Sequence, residues 1–136
     1  MQKAIQTKHQ IQAPVSQVWS LIKSGEKWED WFPILTGSRV EGNQRYCDLD
    51  NGDTLEELFL SSEAEKTFVY TIQKQKSFPA TNITGIMRLE ANGPDATTLH
   101  WSVDMEVENE EVFAQLKENI AQMYAASAHR LEELNA

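Results

Sequence analysis

The hydrophobic period changes for good near Asn109 in this chain, and that change limits what it can fold into. From Leu35 to Val107 apolar residues recur at intervals of two, in runs separated by turn residues. From Asn109 onward they recur at three and four, at Val112, Phe113, Leu116, Ile120, Met123, Tyr124, Leu131 and Leu134. The first spacing is that of half-buried strands and the second that of an amphipathic helix. Candidate strands fall at 35–42, 44–49, 54–61, 66–75, 80–90 and 97–107. Gly42-Asn43, Ser62–Glu65 and Asn92–Asp95 mark turns between them. Asn51-Gly52, the strongest two-residue hairpin signal in the chain, joins the third strand to the fourth. Strands joined by such short turns make an antiparallel meander. Asn109 can cap the final helix, with Glu110 and Glu111 in its first turn, and the helix is about 40 Å long.

The chain opens on one more strand, in which Ile5, Thr7, His9 and Ile11 alternate with Gln6, Lys8, Gln10 and Gln12. Ala13-Pro14 ends it, and Pro14 suits the start of a helix carried by Val15, Val18, Trp19 and Ile22. Ser24-Gly25 stops that helix. The segment Glu26–Pro33 then reads as a tryptophan-rich turn or a second short helix, broken at Pro33. The expected fold is α+β: a seven-stranded antiparallel sheet wrapped round a long C-terminal helix, with two short helices between strands 1 and 2. A twisted sheet gripping a helix leaves a space at one end, and Trp28–Pro33 is placed to lid it. With 136 residues and no linker, repeat or low-complexity stretch, residues 1–136 are expected to form a single domain.

Composition narrows the function. Twelve basic against twenty-one acidic residues give a net charge of -9, which argues against nucleic acid and against an anionic membrane surface. No apolar run approaches the roughly 20 residues of a membrane helix. The single cysteine, Cys47, excludes an internal disulfide and a multi-cysteine metal site. It has no nearby cation and is given no reactive role. No two histidines have ligand spacing, and neither a phosphate-binding glycine loop nor a nucleophile elbow is present, so no metal and no cofactor is expected. A reducing cytoplasm is the expected location.

Several segments resemble one family. Ile11-Gln12-Ala13-Pro14, followed by Val18-Trp19 and Leu21-Ile22, is similar to the "I-x-A-P-x-x-x-V-W-x-L-I" opening of the START-like (SRPBCC) superfamily. Within it the polyketide cyclase/dehydrase and lipid-transport family is nearest. Trp28–Pro33 resembles that family's "W-x-x-W-x-P" segment. Glu57, Phe59, Phe68 and Tyr70 are similar to its "E-x-L … L-x-Y" stretch, and Thr98–Met105 to its last strand. The resemblance implies a helix-grip fold with a hydrophobic ligand pocket between sheet and C-terminal helix. It also implies that Glu57 points inward; parity alone leaves this open, because Leu55, Glu57 and Phe59 share one face while Leu58 and Leu60 share the other.

The candidate ligand-binding residues follow. Trp28, Trp31 and Phe32 sit in the lid, and Tyr70 and Trp101 on inward faces, with Trp19 and Trp101 reading first as core. Phe59, Met87, Phe113 and Ile120 complete the expected wall. Glu57, His9 and Tyr70 are the candidate acid/base groups. Against this stand a solvated Glu57 and a His9 satisfied by a core neighbour. The expected partner is a small hydrophobic molecule, a lipid, polyketide or similar; a protein partner is not specified. Binding or carrying that molecule is the first reading. A cyclase or dehydratase using a pocket acid/base is the second, and an interaction module with a filled cavity the third.

Overall fold

The computed structural model describes residues 1–135. Its elements run β1 (Gln2–Ile11), α1 (Val15–Ile22), a 3-10 turn (Trp28–Asp30), β2 (Leu35–Glu41), β3 (Gln44–Leu49), β4 (Thr54–Ser62), β5 (Thr67–Lys74), β6 (Thr81–Ala91), β7 (Thr97–Glu106) and α2 (Glu110–Leu134). The six strands expected after Leu35 are present, each end within a residue of its expected place. One sheet holds all seven in the order β1-β7-β6-β5-β4-β3-β2, every neighbouring pair antiparallel. β1 and β2 therefore lie on opposite edges although they are consecutive in the chain. The chain between them has to cross the whole sheet, and this carries α1 and the tryptophan segment over one end of the inner face.

Two details differ from the sequence-based expectation. The second short helix is a single 3-10 turn of three residues, Trp28–Asp30. Lys27 before it is left-handed (φ 59°) and Pro33 follows closely, so no room remains for a helical ladder. The β3–β4 hairpin has a three-residue loop rather than a two-residue one. Leu49 N–H donates to Asp53 O at 2.9 Å, Asp48 pairs with Thr54, and Gly52 takes the left-handed position (φ 91°). A type I turn closed by a left-handed glycine is the usual three-residue solution.

β1 and the strands from β3 to β7 contribute alternate residues to a core under α2, and β2 adds Leu35. Phe68, Met87, Leu99 and Trp101 are fully buried there. The stripe Leu116, Ile120, Tyr124, Ala128 and Leu131 of α2 packs onto them. Asn109 caps α2 through its side-chain oxygen, which accepts from Val112 N–H at 2.9 Å. On β4, Leu55 and Glu57 face inward while Leu58 and Leu60 lie on the exposed side. No helix among the described residues is long and apolar enough to cross a membrane.

Candidate functional site

The loop length of the β3–β4 hairpin sets the chemistry beneath α2. A two-residue loop would place Arg45 opposite Leu58. The three-residue loop places it opposite Glu57, with both side chains inward. Arg45 Nε donates to Glu57 Oε1 at 2.7 Å, and its Nη2 lies 2.5 Å from the same oxygen. The residues are 1% and 2% exposed, so this ion pair is buried. Arg45 Nη1 also donates to Gly25 O at 3.3 Å, and the guanidinium lies 3.8 Å from the Trp28 ring centroid, with the Phe68 and Tyr70 rings behind it. A cation held against aromatic faces and tied to a carboxylate is the arrangement in which a buried guanidinium is tolerated. Burial pushes the Glu57 carboxyl up, and the Arg45 charge opposes that shift. The Cys47 thiol lies on the same face, 3.9 Å from Glu57 Oε1. Arg45 is thus a cation near Cys47, contrary to the expectation; burial nevertheless outweighs it and pushes the thiol up to about 12.

A second polar group faces the first across the interior. Trp101 Nε1 donates to the Tyr70 hydroxyl at 3.1 Å, and that hydroxyl is 3.3 Å from the hydroxyl of Tyr124 on α2. The Trp101 and Tyr124 rings stack with centroids 3.6 Å apart. Burial pushes Tyr70 up to about 12 and Tyr124 well above its usual value. Tyr70 fits because its cross-strand partner is Gly85: a Cβ there would sit 2.1 Å from Tyr70 Cζ. A glycine inside a strand here marks the close approach of a side chain.

Between these groups lies a cavity of about 50 Å³. Arg45, Cys47, Glu57, Tyr70 and Tyr124 supply its polar atoms, and Leu55, Ile72, Ala80, Ile83, Val103 and Met105 are among its apolar walls. Toward solvent it meets a groove of about 740 Å³, bounded by Pro33-Ile34, Ser77–Pro79 and the α2 face from Glu111 to Ala126. Five side chains belong to both spaces: Ile34, Phe78, Leu116, Ile120 and Met123. They line the boundary, or neck, between chamber and groove. The backbone at Phe78 is pinned beside it, because the Gln75 amide donates to Phe78 O and Ala80 O at 3.0 Å and accepts from Phe78 N–H at 2.7 Å.

Of the residues singled out from sequence, Trp28, Phe32, Glu57, Tyr70 and Ile120 border the chamber. Six lie outside its lining. Trp31 is buried against Trp28 and donates its Nε1 to Leu21 O at 3.3 Å. Trp101 lies behind Tyr124, Met87 is fully buried in the sheet, and Phe59 stacks on Phe68 with centroids 5.2 Å apart. Phe113 is half-buried beside Lys3. His9 is half-buried too, with Nε2 3.0 Å from the Thr7 hydroxyl, and burial lowers its pKa. The sequence reading missed Arg45, Phe78 and the role of Tyr124. Arg45 had a signal: it alternates with Cys47 and Leu49, which marks a charged residue on an apolar face.

The family model described as "Polyketide cyclase / dehydrase and lipid transport" matches residues 2–134. No curated protein matches the sequence. Among solved structures, the protein XoxI from Bacillus cereus superimposes with a TM-score of 0.85 at 22% identity, covering 97% of this chain and 94% of its own. A START superfamily protein from Mycobacterium smegmatis gives 0.83 at 17% identity, over 97% and 96% of the two chains. The Zhui aromatase/cyclase from Streptomyces sp. R1128 gives 0.83 at 12% identity, over 99% and 94%. At these identities the likeness is one of fold.

Proposed function

The chain belongs to the polyketide cyclase/dehydrase and lipid transport family, and on that premise we propose that it binds or carries a small hydrophobic molecule, of lipid, polyketide or similar class, between the sheet and α2. The observation that carries this reading is the chamber itself. It is a small, almost wholly apolar-lined space with the Arg45–Glu57 pair at its border, and it shares five lining side chains with a larger groove. Apolar walls supply affinity, and a few fixed polar atoms orient the guest. Stability alone does not favour an ion pair at the centre of a core, since replacing one with apolar side chains is often neutral or stabilising.

The cyclase or dehydratase reading draws on the same cavity, because Glu57 and the Tyr70–Tyr124 pair both border it. It is the weaker one. General acid/base work needs a group that titrates near the working pH. Tyr70 is pushed to about 12, and Glu57, although burial pushes it up, is tied to Arg45 through Oε1. The interaction-module reading requires a filled cavity and draws no support from this one.

Ile120 stands in the neck and is 8% exposed. Ile120→Trp is expected to plug the passage while α2 still packs. A thermal-shift panel of lipids and polyphenols should then stabilise the native protein and leave the folded variant unmoved. Equal shifts in the two proteins would place the binding elsewhere and overturn the proposal.

A further inference from the structure

The charge balance of the chamber selects among guests. Arg45 is the one cation on its lining and Glu57 the one carboxylate, and each already neutralises the other. A third charge entering that space would be buried without a counterion, which is strongly unfavourable. The carboxylate is also used unevenly. Arg45 Nε, Arg45 Nη2 and Cys47 Sγ all converge on Oε1. No donor among the described residues bonds Oε2, and in a residue that borders the cavity this oxygen is not among the fully enclosed polar atoms. An ionised carboxylate oxygen accepts hydrogen bonds and donates none. Oε2 is therefore open to a donor, which a water or the hydroxyl of a guest can bring.

Size narrows the guest further. A water needs roughly 10–15 Å³ of such space, so the chamber of about 50 Å³ takes about four non-hydrogen atoms. It is roughly a third of the 150 Å³ cavity that accommodates benzene. The chamber therefore receives the slim end of a guest whose remaining length lies in the groove. That groove is lined largely by apolar side chains, with Gln115, Asn119 and Gln122 on its α2 side and Glu111 at the helix start.

Resting on the function proposed above, we infer that the guest is an uncharged, chain-like amphiphile. Its hydroxyl end passes the neck to donate to Glu57 Oε2, and its apolar chain lies along α2. A carboxylate of the same length is rejected. Calorimetry at pH 8 with 1-octanol and octanoate tests this. The wild-type protein should bind 1-octanol at least about tenfold more tightly than octanoate. Glu57→Gln leaves the Arg45 charge unbalanced, so the preference should move toward octanoate. Should that variant fail to fold, Arg45→Met with Glu57→Leu removes both charges together, and 1-octanol should then bind at least about tenfold more weakly. Octanoate binding the wild-type protein as tightly as 1-octanol would overturn the inference and leave the proposed function standing. So would an unchanged 1-octanol affinity in the double variant. Binding of neither compound to the wild-type protein would also overturn the inference, and the thermal-shift panel would then decide the proposed function.

Discussion

Gly85→Ala is a one-methyl change whose effect follows from a single contact. The new Cβ would lie 2.1 Å from Tyr70 Cζ, 2.6 Å from Cε1 and 2.4 Å from the hydroxyl oxygen. Carbon atoms need more than an ångström beyond that, so the ring has to leave its place. Its hydroxyl accepts from Trp101 Nε1 and meets the Tyr124 hydroxyl, and both of those residues are buried. Overpacking of a core costs about 1–3 kcal/mol. Leaving the Trp101 N–H unpaired adds about 1–3 kcal/mol. The variant should lose about 2–6 kcal/mol in urea unfolding, and its Tm should fall by at least about 8 °C. Near-UV circular dichroism should change as the Trp101–Tyr124 stack loosens. Tyr70→Leu removes the colliding atoms. The double variant should therefore be less destabilised than the sum of the singles, by at least about 1 kcal/mol. A Gly85→Ala protein within about 0.5 kcal/mol of wild type, with an unchanged near-UV spectrum, would refute the reasoning.

Arg45→Met strands the Glu57 charge in the core and should cost about 3–5 kcal/mol by chemical denaturation, most of which Glu57→Leu in the same chain should restore. With its opposing cation gone, Glu57 in that single variant is raised further by burial. Its stability should then be greatest below the unfolded carboxylate pKa and should fall as pH rises through the folded one. Tyr70 and Cys47 are both pushed to about 12, from 10.0 and 9.0. Their contribution to stability is whole below those lower values and lost as pH climbs toward 12, so Tyr70→Phe should flatten an alkaline unfolding titration. The Cys47 thiol, 1% exposed, should resist a thiol reagent at pH 8 until the protein unfolds. Asn109→Ala removes the α2 cap and should cost about 0.5–2 kcal/mol in urea.

The fold was legible because local signals agreed with one another. Alternation, turn residues and the late change of period each placed an element end, and the strand limits fell within a residue. The site was legible in part. Glu57 could be placed inward only through family resemblance, since Leu58 and Leu60 offered an equally apolar face that is in fact exposed. Arg45 stood in an inward register, yet its partner depended on whether the Asn51-Gly52 hairpin had two loop residues or three. One residue of loop length exchanges Leu58 for Glu57 and with it the character of the cavity floor. Six candidate residues lie outside the chamber lining, Trp101 as the core residue it first reads as and His9 beside the Thr7 hydroxyl. Parity tells which face a side chain is on, but not how far along the strand or helix the packing leaves space. The chamber volume depends on side chains from β2 to α2 meeting at the neck, and no local pattern encodes that.

The central claim is that the space under α2 holds a guest. Native mass spectrometry of the protein purified from its own host, followed by denaturing extraction, tests it most directly. A stoichiometric apolar small molecule, released on denaturation, is the expected result. A clean apo mass, together with no thermal shift across a lipid and polyphenol panel, would contradict it.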